Sequence, residues 1–119
     1  MRRRKFKIAA GVCCLVLLLV SVLRPRYDKV NLRSREVLLK NTLFTLRTVI
    51  DEYKYDKQKP PTTLDELVAN GYLRSVPVDP MTKSSATWRI EADERNPGIK
   101  AVHSGSDLRS LDGRPYSEW

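Results

Sequence analysis

Cysteine is close to absent: the 119 residues hold two, Cys13 and Cys14, side by side in an apolar run. Adjacent cysteines do not meet the geometry of an ordinary bridge. No other thiol exists to pair with them, so a disulfide framework is excluded, although an oxidising compartment is not. They read as small apolar residues of the run. Most of the run follows them and Val12 precedes Cys13, which argues against a lipid-modified cysteine. Histidine is scarcer, with His103 alone. A histidine-based metal cluster needs several ligands. An acyl-transfer pair of His103 with Ser104 or Ser106 lacks a positioned acid. The five glycines make no phosphate-cradling loop. The carboxylate pairs Asp51–Glu52 and Asp65–Glu66 are chain neighbours in helical stretches, where neighbours point apart. Solvated faces and capping account for them. No catalytic residue is assigned, and a non-enzymatic role is expected.

What the chain does have is positive charge, +8 formally with a pI of about 9.8. Five cations (Arg2, Arg3, Arg4, Lys5 and Lys7) precede the apolar run. Residues 24–119 carry 17 Lys and Arg against 14 Asp and Glu. That is a weak electrostatic footprint for nucleic acid, which is not expected as a partner. The run itself, residues 8–23, contains sixteen residues without a charge. As a helix it would span ~24 Å against a bilayer core of about 30 Å. Lys7 and Arg24 can snorkel from its ends. Nothing resembling a small-residue cleavage site follows it. The expectation is an uncleaved single-pass anchor over residues 8–24. The heavier basic flank, residues 1–7, faces the cytoplasm, and residues 25–119 form a head on the other side.

Pro25 is expected to end or kink the anchor helix. No Gly or Pro interrupts residues 26–59. Leu39, Leu43, Leu46, Ile50 and Tyr53 recur at spacings of four and three, which predicts a spine helix over about 28–57 with one apolar stripe. Glu36 breaks the stripe as a coiled-coil seam, so packing on the chain's own head is preferred. "PPTTLDELVANGYL" predicts a short helix. Thr63 is its N-cap, Glu66 closes a capping box, and Asn70-Gly71 stops it. Leu64, Leu67 and Val68 form its apolar face, and Tyr72 and Leu73 follow it into the core. "TWRIEA" alternates, with Trp88, Ile90 and Ala92 on one face. "IKAVH" reads as a second strand and "PYSEW" as a third. The predicted fold is α+β: a long helix, a short helix and a small three-stranded antiparallel sheet laid on the apolar stripe.

The arrangement resembles the type IV pilins and, most closely, the major pseudopilins of bacterial type II secretion systems. Tyr53, Asp56, Pro61 and Thr63 match a "Y-x-x-D-x-x-x-x-P-x-T" segment, and Tyr72, Leu73, Pro77, Asp79 and Pro80 match "YL-x-x-x-P-x-DP". "HSGSD", the later "DG" and "YSEW" resemble that family's last strands. The likeness covers about residues 37–119.

The resemblance implies a pilin-like structural subunit, anchored in the bacterial inner membrane, with a cytoplasmic N-terminus and a periplasmic head. It implies self-assembly, or assembly with other pseudopilins, through the N-terminal helix. A secretion platform in the inner membrane and membrane lipids would be its other partners. It also implies calcium as a candidate ligand of the loop carrying Asp107, Ser110 and Asp112, for which an ordinary Asp-Gly turn is the alternative. Finally, it implies a leader cleaved between Lys5 and Phe6. Lys5 stands where that family has glycine, and Ala10 stands where it has glutamate. These departures keep a second reading open, a non-polymerising anchored adaptor or ligand-binding module.

Overall fold

The computed structural model describes residues 2–119. Two helices, two strands and a 3₁₀ turn follow in order: α1 (Arg2–Lys57), α2 (Leu64–Ala69), β1 (Arg89–Ala92), β2 (Ile99–His103) and the turn Tyr116–Glu118. The chain divides into two compact units, Met1–Ser34 and Arg35–Trp119, and α1 contributes to both. We call the second unit the head. Position 25 lies within the bounds of α1; the Pro25 side chain lies outside the described residues.

In the first unit, every described side chain from 7 to 24 is exposed. One 18-residue window has a mean hydropathy of 2.3 and none of it is buried within the chain, so α1 is long and apolar enough to cross a membrane.

In the head, α1 stops at Lys57 as expected. Pro60 disfavours helical geometry at Lys59. Gln58 takes the left-handed conformation at φ 55°, and its side-chain amide donates to the Tyr55 carbonyl at 2.6 Å. That satisfies one carbonyl left open at the helix end. The expected stripe is the core: Leu39, Leu43, Leu46, Ile50 and Tyr53 are all buried, with Val49 beside them. Leu64 and Leu67 of α2, Ile99 and Val102 of β2, Trp88 and Tyr116 complete it. Val68, Tyr72 and Leu73 are only half-buried.

Both ends of α2 are closed by local signals. The Thr63 hydroxyl accepts from the Glu66 N–H at 3.2 Å. The Tyr72 N–H reaches the Leu67 carbonyl at 2.9 Å and the Gly71 N–H reaches the Val68 carbonyl at 3.1 Å. With Gly71 at φ 80°, this is a Schellman stop, which glycine adopts without a Cβ penalty.

The sheet corrects the sequence reading. It has two antiparallel strands, not three. Arg89 pairs with His103, Ile90 with Val102 and Glu91 with Ala101, with a bulge between Glu91 and Ala92. "PYSEW" is not a strand but the 3₁₀ turn. Tyr116 and Trp119 are three apart; a strand would send them to opposite faces, whereas a 3₁₀ turn stacks them on one side. Their rings meet edge to face at 5.2 Å. The expected buried face of β1 is also absent, because all four of its residues are exposed. Trp88, just before the strand, is buried, and β2 supplies the sheet's core residues.

Candidate functional site

Three side-chain joints hold the head together, and they are where the motif residues of the sequence reading meet. The first links α1 to α2. The Tyr53 hydroxyl donates to Glu66 Oε1. Glu66 Oε2 accepts from the Thr62 N–H and the Thr62 hydroxyl, both at 2.7 Å. The expected capping box is therefore shifted: the carboxylate closes on Thr62, not on Thr63. The Tyr53 hydroxyl, then the Thr62 N–H and hydroxyl, hold the Glu66 carboxyl down at about 2. The same bond, with burial, raises Tyr53. Tyr72 packs edge to face on Tyr53, centroids 5.2 Å apart. Its hydroxyl donates to Asp56 Oδ2 at 2.7 Å. That bond first, then burial, pushes Tyr72 up to about 12.

A pH dependence follows from this joint. A carboxyl lowered by folding contributes stability that is full above its unfolded value and is lost as pH falls through its folded one. For Glu66 the window runs from 4.5 down to about 2. E66Q is expected to lower the melting temperature at pH 7 and to flatten its fall between pH 4.5 and 2.5. The fall persists in part, because Glu91 and Asp112 are also lowered. Melting curves of E66Q that run parallel to wild type across this range would overturn the assignment.

The second joint is a buried carboxylate. Asp79 is 0% exposed. Its Oδ2 accepts from the Ser104 hydroxyl at 2.7 Å and the Gly105 N–H at 2.9 Å. Its Oδ1 accepts from the Met81 N–H at 2.9 Å. One side chain thus clips the 79–84 loop to the chain leaving β2.

The third joint centres on Glu36, the residue that interrupts the apolar stripe. Its Oε1 accepts from the Leu111 N–H at 2.9 Å and from the Tyr116 hydroxyl at 2.7 Å. Burial, then the Glu36 carboxylate, raises Tyr116. Nearby, Arg47 Nη2 donates to the Val102 carbonyl at 3.1 Å and the Trp119 carbonyl at 2.6 Å. Lys40 Nζ stands 4.8 Å from the centroid of the Trp119 ring. A shallow groove of about 380 Å³ opens here, lined by Lys40, Phe44, Arg47, Arg114 and Trp119 among others. Sequence reasoning missed Glu36, Asp79 and Arg47 as joints. Only Glu36 carried a signal, since a carboxylate inside an apolar stripe requires a buried donor.

The calcium candidates are not brought to one point. Asp107 is exposed and ion-paired with Arg89. Ser110 is buried, and its hydroxyl donates to Asp112. Asp112 also accepts from the Arg114 N–H at 3.1 Å and from Arg114 Nε at 3.2 Å. The Ser110 hydroxyl, then the Arg114 N–H and guanidinium, hold the Asp112 carboxyl down at about 2. Each carboxylate already faces an arginine, and a calcium cage needs six to eight oxygens. Among the described residues, no group of three or more His, Cys, Asp or Glu is placed to hold a metal ion. The donor set as arranged does not fit calcium. The arrangement is that of a self-satisfied turn, with Gly113 at φ 88°.

Of the cleavage pair, Lys5 is exposed on α1, and the Phe6 side chain lies outside the described residues. His103 Nδ1 bonds the Trp119 carbonyl at 2.8 Å, and its Nε2 lies 3.7 Å from Glu91 Oε2. The Ser104 hydroxyl is spent on Asp79, and the Ser106 hydroxyl accepts from the Leu108 N–H at 3.2 Å. Neither serine is paired with the histidine. Comparison with protein-family models, with curated proteins and with solved structures returned no match.

Proposed function

We propose that the chain is a pseudopilin-like structural subunit of a type II secretion or type IV pilus-like assembly. Residues 8–24 anchor it in the bacterial inner membrane, with residues 1–7 in the cytoplasm and the head in the periplasm. The observation that carries the reading is the uncovered apolar run. Residues 8–23 bury nothing within the chain, so lipid or neighbouring helices must take up their surface. The same helix continues into the head as the strut on which the core is built. A head in which Tyr53, Glu66, Asp79 and Glu36 hold α1, α2 and the loops together suits a part whose role is its shape. The motif residues Tyr53, Asp56, Tyr72 and Asp79 sit in those joints, which adds to the resemblance. The function is then to pack against other subunits through residues 8–23 and to present the head at a set position.

A second reading is a non-polymerising anchored adaptor or ligand-binding module. It is favoured by Lys5 and Ala10, which replace the glycine and glutamate of the family pattern.

The native thiols separate the two. Cys13 and Cys14 are free and exposed, and consecutive helix positions point about 100° apart. They therefore face different neighbours. Oxidising native membranes is expected to give a ladder of self-crosslinked species. The single variant C13A should reduce it to dimers, and C13A/C14A should abolish it. Monomers, or crosslinks to foreign proteins alone, would overturn the subunit reading and favour the adaptor.

A further inference from the structure

The charge of this chain is divided with unusual sharpness along the unit boundary. Residues 35–119 hold thirteen Lys and Arg and thirteen Asp and Glu, so the head is formally neutral. Residues 1–34 hold nine cations against one anion, Asp28, and account for the whole +8. Five of the nine precede the apolar run, and four (Arg24, Arg26, Lys29 and Arg33) follow it.

The first group is what the positive-inside rule requires of a cytoplasmic flank. The second group runs against that rule, which depletes Lys and Arg on the side that is translocated. Arg24, Lys29 and Arg33 are exposed on α1. At about 100° per residue, positions 24 and 26 lie on nearly opposite sides of a helix and positions 26 and 29 about 60° apart, so these cations surround it rather than share one face. At ~1.5 Å per residue, position 29 stands roughly 8 Å beyond position 24, and position 33 roughly 14 Å beyond it. The headgroup layer adds only about 5–7 Å to each side of the hydrocarbon core, and screening weakens attraction beyond about 8 Å. Positions 24 and 26 therefore fall at headgroup depth, Lys29 stands at its outer edge with a side chain long enough to reach back, and Arg33 falls past it.

We propose that the cations at positions 24, 26 and 29 form a collar that binds anionic phospholipid headgroups in the leaflet that faces the head. The proposal rests on the anchor reading above. The ligand is the lipid phosphate. Each cation near an anionic bilayer surface strengthens attraction on the order of fivefold, and the neutral head neither adds to that attraction nor opposes it. The collar fixes how deep the helix sits and holds it there until other subunits take its place.

The test uses the full-length protein reconstituted in phosphatidylcholine vesicles with and without phosphatidylglycerol. Selectivity between spin-labelled phosphatidylglycerol and phosphatidylcholine is read from the motionally restricted lipid signal. A background with Arg2, Arg3, Arg4, Lys5 and Lys7 changed to glutamine removes the other flank's contribution. In that background, phosphatidylglycerol is expected to be preferred by at least roughly fivefold. R24Q/R26Q/K29Q should bring the ratio close to one, and R33Q should change it little. No preference in that background, or a preference that survives the triple substitution, overturns the lipid site while leaving the anchor intact. Failure to float with phosphatidylcholine vesicles at all overturns the anchor reading and the lipid site together.

Discussion

Replacing Asp79 with alanine is expected to lower the melting temperature of the full-length protein by about 15 °C. Tryptophan fluorescence reports it, since Trp88 and Trp119 both lie in the head. The wild-type carboxylate is fully buried and takes three hydrogen bonds, from Ser104, Gly105 and Met81. Alanine leaves one buried and two partly buried donors without an acceptor. An unsatisfied buried polar group costs ~1–3 kcal/mol, and loss of such a network reaches about 3–4 kcal/mol. In a domain of this size, 1 kcal/mol moves the midpoint by roughly 4–8 °C. D79N should fall between the two, because its amide nitrogen turns a donor toward donors. A D79A midpoint within about 3 °C of wild type would show that water or a relaxed loop replaces the clip.

Gly105→Ala is expected to be at least as damaging, by about 3 kcal/mol or more. A methyl at Gly105 would overlap the Thr87 carbonyl oxygen and come within 2.9 Å of the Thr87 carbonyl carbon. These are backbone atoms and cannot rotate aside. The Gly105 N–H is itself bound to Asp79, so any shift that relieves the clash also stretches the clip. The two substitutions act on one junction, so G105A in the D79A background should cost much less than G105A does in the wild type. Additive losses in the double variant would mean that the two sites are independent. A fully stable G105A would mean that the 104–106 segment does not run against Thr87 in solution.

Local signals made much of the fold legible in the sequence. Pro60 against Lys59, Thr63 and Gly71 act on the backbone within a few residues, so the end of α1 and both ends of α2 follow from them. The stripe from Leu39 to Tyr53 is also a local regularity, and all of it is buried. What failed depended on distant partners. "PYSEW" alternates well enough for a strand, and nothing within it reveals that Tyr116 reaches Glu36, eighty residues earlier. "TWRIEA" alternates too, yet β2 rather than β1 supplies the sheet's buried residues. Asp79 stands in the sequence only as part of the "P-x-DP" match; two of its three partners lie 25 and 26 residues on. The family resemblance implies a cation ligand for the loop holding Asp107, Ser110 and Asp112. As arranged, its carboxylates face Arg89 and Arg114 instead, and Arg89 is 18 residues from the Asp107 it pairs with.

The Glu36 joint bears on biogenesis. Its donors, Leu111 and Tyr116, leave the ribosome 75 and 80 residues after Glu36, while the leucines beside it leave early. At about 5–20 residues per second, that greasy ridge stays bare for several seconds before β2 and the final turn can shield it. Through that interval the bare ridge is the kind of transiently exposed apolar surface that aggregates and that chaperones exist to shield.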